Sequence, residues 1–369
     1  MVVMLALLAC VCASASGGNA PVAVGNAVPS GGVGAPAPTA TPPPAPSTSV
    51  VQGAPSADSE TPRAGDSGTF TGLCEASGLA VHPDGGWVLV DNETSDRVYR
   101  FDVDMKRLPD LELEDPIEDL EALTVLPSGV VVVFGSQGTN RAGKPRPRRE
   151  RATVVGKASR ELDLASCAPC RAARGIEPEG GGLNVEGAAW WGGRYWLGLR
   201  SPLDGKGRAW LVSLGDDLYG PVLPQAPIAV DLGGEGIREL APWNDGLLVV
   251  SGPAGSADTL NHLWWLAAPD AAPVRLAVAL PASTEGIAVI PDPAPPGPAS
   301  SLTPASGPGN APGDGVAEGG RAPLPPQGEV SGDVSAATVR LRYVTDGDGK
   351  PGAVCKVPAT WGTVEVVLP

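Results

Sequence analysis

The chain repeats itself. EASGLAV (75–81), DLEALTV (119–125), NVEGAAW (184–190), GGEGIREL (233–240) and STEGIAV (283–289) align by eye, at intervals of about 44 to 65 residues. After each comes a turn sequence: HPDGG, LPSG, WGGR, WNDG and, in the last repeat, a long Pro-rich insert. A second apolar run follows each turn: WVLVDNE (87–93), VVVVFGS (130–136), YWLGLRS (195–201), LLVVSGP (247–253) and RLRYVTDG (340–347). Third and fourth runs recur as RVYRFDV then LPDLELE, RAWLVSL then PIAVDL, HLWWLAA then VRLAVAL, and AVCKVPA then GTVEVVL. The runs have strand length, are rich in Val, Trp, Tyr and Leu, and are bounded by Gly, Asn, Asp and Pro. None carries a sustained helical period. Four short antiparallel strands per unit predict an all-β fold, a β-propeller of four-stranded blades. The repeats count five blades; the irregular stretch 155–183 leaves room for a sixth.

Flanking composition sets the domain limits. Residues 1–15 form a short, apolar, uncharged run that reads as an export signal. Leu7-Leu8-Ala9-Cys10 resembles a bacterial lipobox, with Cys10 the lipidated residue; Ala13-Ser14-Ala15 is the alternative cleavage site of an unlipidated product. Residues 16–68 are mostly Ala, Pro, Gly, Ser and Thr, a composition that cannot bury enough surface to offset ordering entropy and predicts a disordered linker. The propeller is expected over 69–369, interrupted by a low-complexity insert at 291–337. The product is expected to be a monomer in the cell envelope or secreted, touching membrane only through the N-terminal lipid.

Charge narrows the function classes. With 26 basic and 41 acidic residues the net charge is −15, which argues against nucleic acid as a partner. Two histidines leave little for a His-rich metal site or a triad base. No G-x-S-x-G occurs.

Blade phase predicts a site. The start of a first strand lies beside the end of the antiparallel second strand, so both gather on one face of the ring near its axis. The aligned first-strand positions read Ser77, Glu121, Glu186, Glu235 and Glu285. Asp91 with Glu93, Ser136, Arg200, Ser251 and Asp346 end the second strands. Two carboxylates ~8 Å apart at an effective dielectric of ~20 repel by about 2 kcal/mol. Four around one axis need a cation, protonation or dedicated donors. Two readings stay open: Ca²⁺ held by Glu121, Glu186, Glu235 and Glu285, or glutamates that pin neighbouring blades through backbone N–H groups. Arg200 and Arg238, with Asp91, Ser136, Ser251 and Asp346, are the candidate ligand-binding residues for a small anionic ligand; an envelope protein is the other candidate partner. The basic run RAGKPRPRRER (141–151) leaves a second strand and hangs over the same face.

FTGLCEASGLAV…VLVDNETSDRVYRFD (70–102), DLEALTV…VVVFGSQGTNR (119–141), NVEGAAWWGGRYWLGLRSPL (184–203), DLGGEGIREL (231–240) and LLVVSGPAG (247–255) resemble the uncharacterised bacterial family of domain of unknown function 3616. The chain is also similar to the wider group of phytase-like and esterase-like propellers. The resemblance implies a propeller and, in some members of the wider group, Ca²⁺-assisted phosphoester hydrolysis. The function expected is therefore a ligand- or partner-binding exported propeller, with a metal-dependent hydrolase of anionic substrates and a purely structural envelope module as alternatives.

Six cysteines remain to be placed. Cys10 and Cys12 sit in the export segment. Cys167 and Cys170 form CAPC, which suits a local disulfide in an oxidising compartment. Cys74 and Cys355 fall in the first and last blades, adjacent in a ring; a closing disulfide there, worth ~4–5 kcal/mol in the loop-entropy picture, competes with two buried thiols. The tryptophans are expected to pack between blades, with Trp190, Trp191 and Trp243 at turns as an alternative sugar-stacking surface.

Overall fold

Each blade forms because its strand runs are apolar on both faces. Trp87–Asp91, Val131–Gly135 and Gly246–Gly252 are buried at every position, without the alternation of a half-exposed sheet. Such sheets must be covered on both sides, and stacking them around an axis does this. The computed structural model describes residues 65–223, 226–255, 260–291, 337–347 and 355–368.

After a short β1 (Ser67–Thr69), blade 1 is β2 (Ala76–Val81), β3 (Trp87–Asp91), β4 (Arg97–Phe101) and β5 (Arg107–Glu112). Blade 2 is β6 (Leu120–Val125), β7 (Val131–Gly135), β8 (Arg151–Val154) and β9 (Arg160–Glu161). Blade 3 is β10 (Asn184–Trp191), β11 (Arg194–Ser201), β12 (Ala209–Gly215) and β13 (Ile228–Val230). Blade 4 is β14 (Gly236–Trp243), β15 (Gly246–Gly252), β16 (His262–Leu266) and β17 (Val274–Arg275). Blade 5 is β18 (Thr284–Val289), β19 (Ala337–Thr345) and β20 (Thr360–Leu368), completed by β1 in the order β1-β20-β19-β18. Inner strands β2, β6, β10, β14 and β18 neighbour one another in that order, and β18 returns to β2. The architecture is a five-bladed β-propeller.

Five apolar clusters lie between blades. Val88 and Val90 meet Leu123 and Val133; Val132 and Phe134 meet Val185 and Leu197; Trp196 and Leu211 meet Ile237 and Leu240. Leu248 and Val250 meet Ile287 and Leu341, and Ala288 and Val344 meet Leu79 and Leu89. Inner strands approach closely at Gly286: a Cβ there would stand 2.8 Å from both Leu79 N and Val344 Cγ2. That is why the fifth repeat carries glycine after its glutamate.

Ring closure corrects the reading of the last blade. AVCKVPA was expected as its third strand and GTVEVVL as its fourth. GTVEVVL lies within β20, which is the third strand, and β1 from the other end of the domain is the fourth. The segment Cys355–Pro358 belongs to no extended strand, because the Cys74–Cys355 disulfide holds it against the start of blade 1 with the two Cα atoms 5.3 Å apart. Phe70 N–H donates to Ala359 O at 2.9 Å, and Ala359 N–H to Leu73 O at 3.0 Å.

Two boundaries also move. The linker expected to run to residue 68 overlaps β1, so the propeller includes Ser67 and Gly68. The insert expected to end at 337 gives up Ala337 to β19. Stretch 155–183 holds no sixth blade: β9 finishes blade 2, and a short helix α1 (Ala168–Ala173) follows. Cys167 caps α1 and is disulfide-bonded to Cys170. The export signal, Cys10 and the greater part of the linker and of the insert lie outside the described residues.

Candidate functional site: the polar mouth of the ring

A one-residue slip in register marks the start of every inner strand. Ala76 pairs with Asp91 but Gly78 with Val90; Leu120 pairs with Gly135 but Ala122 with Phe134. Equivalent slips fall at Glu186, Arg238 and Glu285. A bulged residue is unpaired and its side chain is re-aimed. Five bulges therefore present Ser77, Glu121, Glu186, Arg238 and Glu285 at one mouth of the ring.

This corrects one member of the predicted set. Glu235 precedes β14 instead of occupying its bulge; Arg238 stands there. Glu235 accepts hydrogen bonds from Ser251 Oγ and pairs with His262 Nδ1 at 2.8 Å. The expected four-glutamate ring is three glutamates and an arginine, so charge opposition replaces much of the expected repulsion. Arg238 Nη1 contacts Glu285 Oε1 closely and lies 3.7 Å from Glu186 Oε2. Burial works against the Arg238 charge, but Glu186 and Glu285 outweigh it and raise its pKa.

Arg200 enters as an extra residue on β11, where a second slip separates Asn184 from Val185. Its Nη1 donates to Glu186 Oε1 at 2.7 Å, Nε to Pro253 O at 3.0 Å and Nη2 to Gly255 O at 2.8 Å. These contacts occupy the group expected to hold an anion.

Other predicted ligand residues also have structural partners. Asp91 accepts from Cys74 N, Glu75 N and Glu93 N at 3.0, 3.1 and 3.0 Å. Ser136 Oγ accepts from Gly138 N at 3.2 Å, and Ser251 Oγ accepts from Trp264 Nε1 at 2.7 Å. The basic loop lies over this face as expected, with Arg146 on Glu118 at 2.7 Å and Arg149 on Asp119 at 3.0 Å.

What stays open at the mouth is mostly acceptor. Among the described residues, the acceptors Asn92 Oδ1, Glu93 Oε2, Glu186 Oε2 and Asp346 Oδ1 are buried without a hydrogen-bond partner, as are the donors Arg238 Nε and Arg149 Nε. Burial pushes Asp346 up to about 8, helped by Glu285 and Glu75. Glu93 rises to about 7 from burial and the charges of Glu75, Asp91 and Asp119. Burial raises Glu121 well above the usual carboxylate range, with Asp119, Glu186 and Glu285 adding to it. Glu285 is raised by burial and pulled back by Arg238. Among the described residues no three carboxylate, imidazole or thiol groups are placed to hold a metal ion.

One carboxyl was missed by sequence reasoning. Glu239, one residue past the Arg238 bulge, occupies the position held by Gly78, Ala122, Gly187 and Gly286 in the other blades. Its Oε2 accepts from Leu79 N across the ring at 3.2 Å and Oε1 from Leu240 N at 2.7 Å. It pins two blades through a backbone N–H, but blades 4 and 1 are not the neighbours expected above, and the residue is a different one. Burial raises its pKa well above the usual range against these donors. Beyond it the channel becomes apolar: a cavity of about 190 Å³ is lined by Leu79, Val125, Ala188, Leu240, Ile287 and Val289 among others.

The turn tryptophans lean on aromatic neighbours. Ring centroids are 4.7 Å apart for Trp190 and Tyr195, 5.8 Å for Trp191 and Trp196, and 5.6 Å for Trp243 and Trp265.

No known family profile matches the chain, and no curated protein matches it. Solved structures do. They include the Neurospora crassa Pan2 WD40 domain, at 11% identity and a TM-score of 0.29, covering 56% of this chain and 52% of that one. This chain thus spans about half the length of that structure. A putative gluconolactonase has 11% identity and a TM-score of 0.34 over 61% of this chain and 85% of its own. Streptogramin B lyase has 9% identity and a TM-score of 0.30 over 60% and 91%.

Proposed function

We propose that this propeller is a binding module whose polar mouth takes a ligand carrying positive charge. The observation that carries this reading is the set of four buried acceptors without donors, from Asn92, Glu93, Glu186 and Asp346. Buried acceptors left unsatisfied cost about 1–3 kcal/mol each, so a donor-rich cation gains at that place what water would lose. The engagement of Arg200 with Glu186 and two carbonyls turns the reading away from the anionic ligand. A Ca²⁺ ion held through its hydration water and a primary ammonium group belong to the same chemical class. The two disulfides fit an oxidising compartment and support export.

The test is thermal unfolding with increasing CaCl₂, ethanolamine or putrescine at constant ionic strength. A ligand at 100 times its Kd stabilises by about 2.7 kcal/mol, so one of these cations is expected to give a saturable rise in Tm. The rise is expected to shrink in Glu93→Gln and Asp346→Asn. Absence of a saturable rise with every one of these cations would overturn the reading.

A further inference from the structure

The mouth is not where the largest unmet demand for an acceptor lies. Arg342 is on β19, between Ala288 of β18 and Thr363 of β20, and its side chain enters the cleft between blades 5 and 1. It is 6% exposed. Its guanidinium carbon stands 4.7 Å from the ring centroid of Trp87 and 4.7 Å from that of Trp361. The two indoles belong to β3 and β20, so the cation is sandwiched between blades. Stacking on aromatic faces offsets part of the desolvation of a guanidinium. It leaves the N–H groups at the edges of the plane unsatisfied.

Two of those N–H positions have no acceptor among the described residues. Arg342 Nε and Nη1 are buried without a hydrogen-bond partner, as are Trp87 Nε1 and Thr363 Oγ1 in the same cleft. Asp66 and Asp104 lie near enough to favour the charge, yet neither accepts a hydrogen bond from it among the described residues. Here the orphaned groups are donors around one cation, the reverse of the polar mouth. We propose that this cleft is an anion-binding site, in which a small oxoanion, a carboxylate or a phosphate, meets the edge of the Arg342 guanidinium between Trp87 and Trp361. Planar and tetrahedral oxoanions both match a guanidinium edge. The indole N–H and the threonine hydroxyl supply further donors. The site is independent of the ligand proposed for the mouth.

The probes are inorganic phosphate and acetate, added to the full chain at constant ionic strength with chloride as the balancing anion. Trp87 and Trp361 flank the site, so binding is read as a saturable change in tryptophan fluorescence, and independently as a saturable rise in Tm. Both responses are expected for at least one probe and are expected to vanish in Arg342→Met, which keeps the aliphatic stem. Excluded salts such as phosphate stabilise any protein without saturation, so a linear rise equal in both proteins overturns the proposal. Trp87→Phe keeps an aromatic face and removes one donor; roughly tenfold weaker binding is expected from it. Unchanged affinity in Trp87→Phe, or no saturable response of the unmodified protein to either probe, overturns the proposal even where Arg342→Met fails to fold.

Discussion

Replacing Asp346 by Asn should make the protein more stable in mild alkali. Asp346 follows β19 at the polar mouth, where burial and the neighbouring carboxylates Glu285 and Glu75 push its pKa from 3.8 to about 8. Between those two values the unfolded chain has lost a proton that the folded chain still holds. Stability therefore falls as pH rises across that window, by up to about 1.4 kcal/mol per pH unit. Integrated from pH 5 to pH 8, one such group removes about 3–4 kcal/mol, an upper limit because water reaches part of the side chain. Glu93, raised to about 7, acts in the same direction with a smaller share because it is more exposed. Asn carries no proton to lose. Urea unfolding followed by tryptophan fluorescence at pH 5 and pH 8 gives the difference directly. Wild type should lose stability between the two, and Asp346→Asn should lose about 2–3 kcal/mol less. Parallel pH dependence of the two proteins, or a wild type more stable at pH 8, would refute the reasoning.

Cys74→Ser or Cys355→Ser should cost about 2–5 kcal/mol by freeing a covalent loop with a sequence separation of 281, read as a lower urea midpoint. Glu239→Ala should cost about 2–4 kcal/mol, since Leu79 N–H and Leu240 N–H lose their acceptor at a buried position; calorimetry would check it. Gly286→Val should reduce stability by about 1–3 kcal/mol or more, because the new side chain meets the backbone of β2; an unchanged Tm would contradict the close approach of the inner strands.

Five repeats were legible as five blades, with 155–183 left open for a sixth, and the polar mouth was legible because the repeat fixes the phase of four of the five inner strands. Glu121, Glu186 and Glu285 hold equivalent positions as their alignment implied, and the structure adds that each stands at a bulge. Blade 4 misleads by its letters: Glu-Gly-Ile at 235–237 imitates the fifth repeat three residues too early. The turns carry the truer signal. Trp191 and Trp243 end equivalent inner strands, and five residues back from each stand Glu186 and Arg238. The fourth strand of blade 5 was hidden for another reason: β1 is three residues long, sits beside a Pro/Ala-rich tract and owes its conformation to β20. Glu239 was hidden because one buried acid among apolar neighbours has no pattern. Its acceptors matter only once Leu79, distant in sequence, is brought across the ring.

Because β1 completes the sheet that β20 joins, the ring has no finished fifth blade until residues 360–368 have been synthesised. Every shorter nascent product carries an open seam with unpaired strand edges on either side. Such edges recruit other chains. Loss of residues 360–368 would thus turn a sealed wheel into a sticky arc.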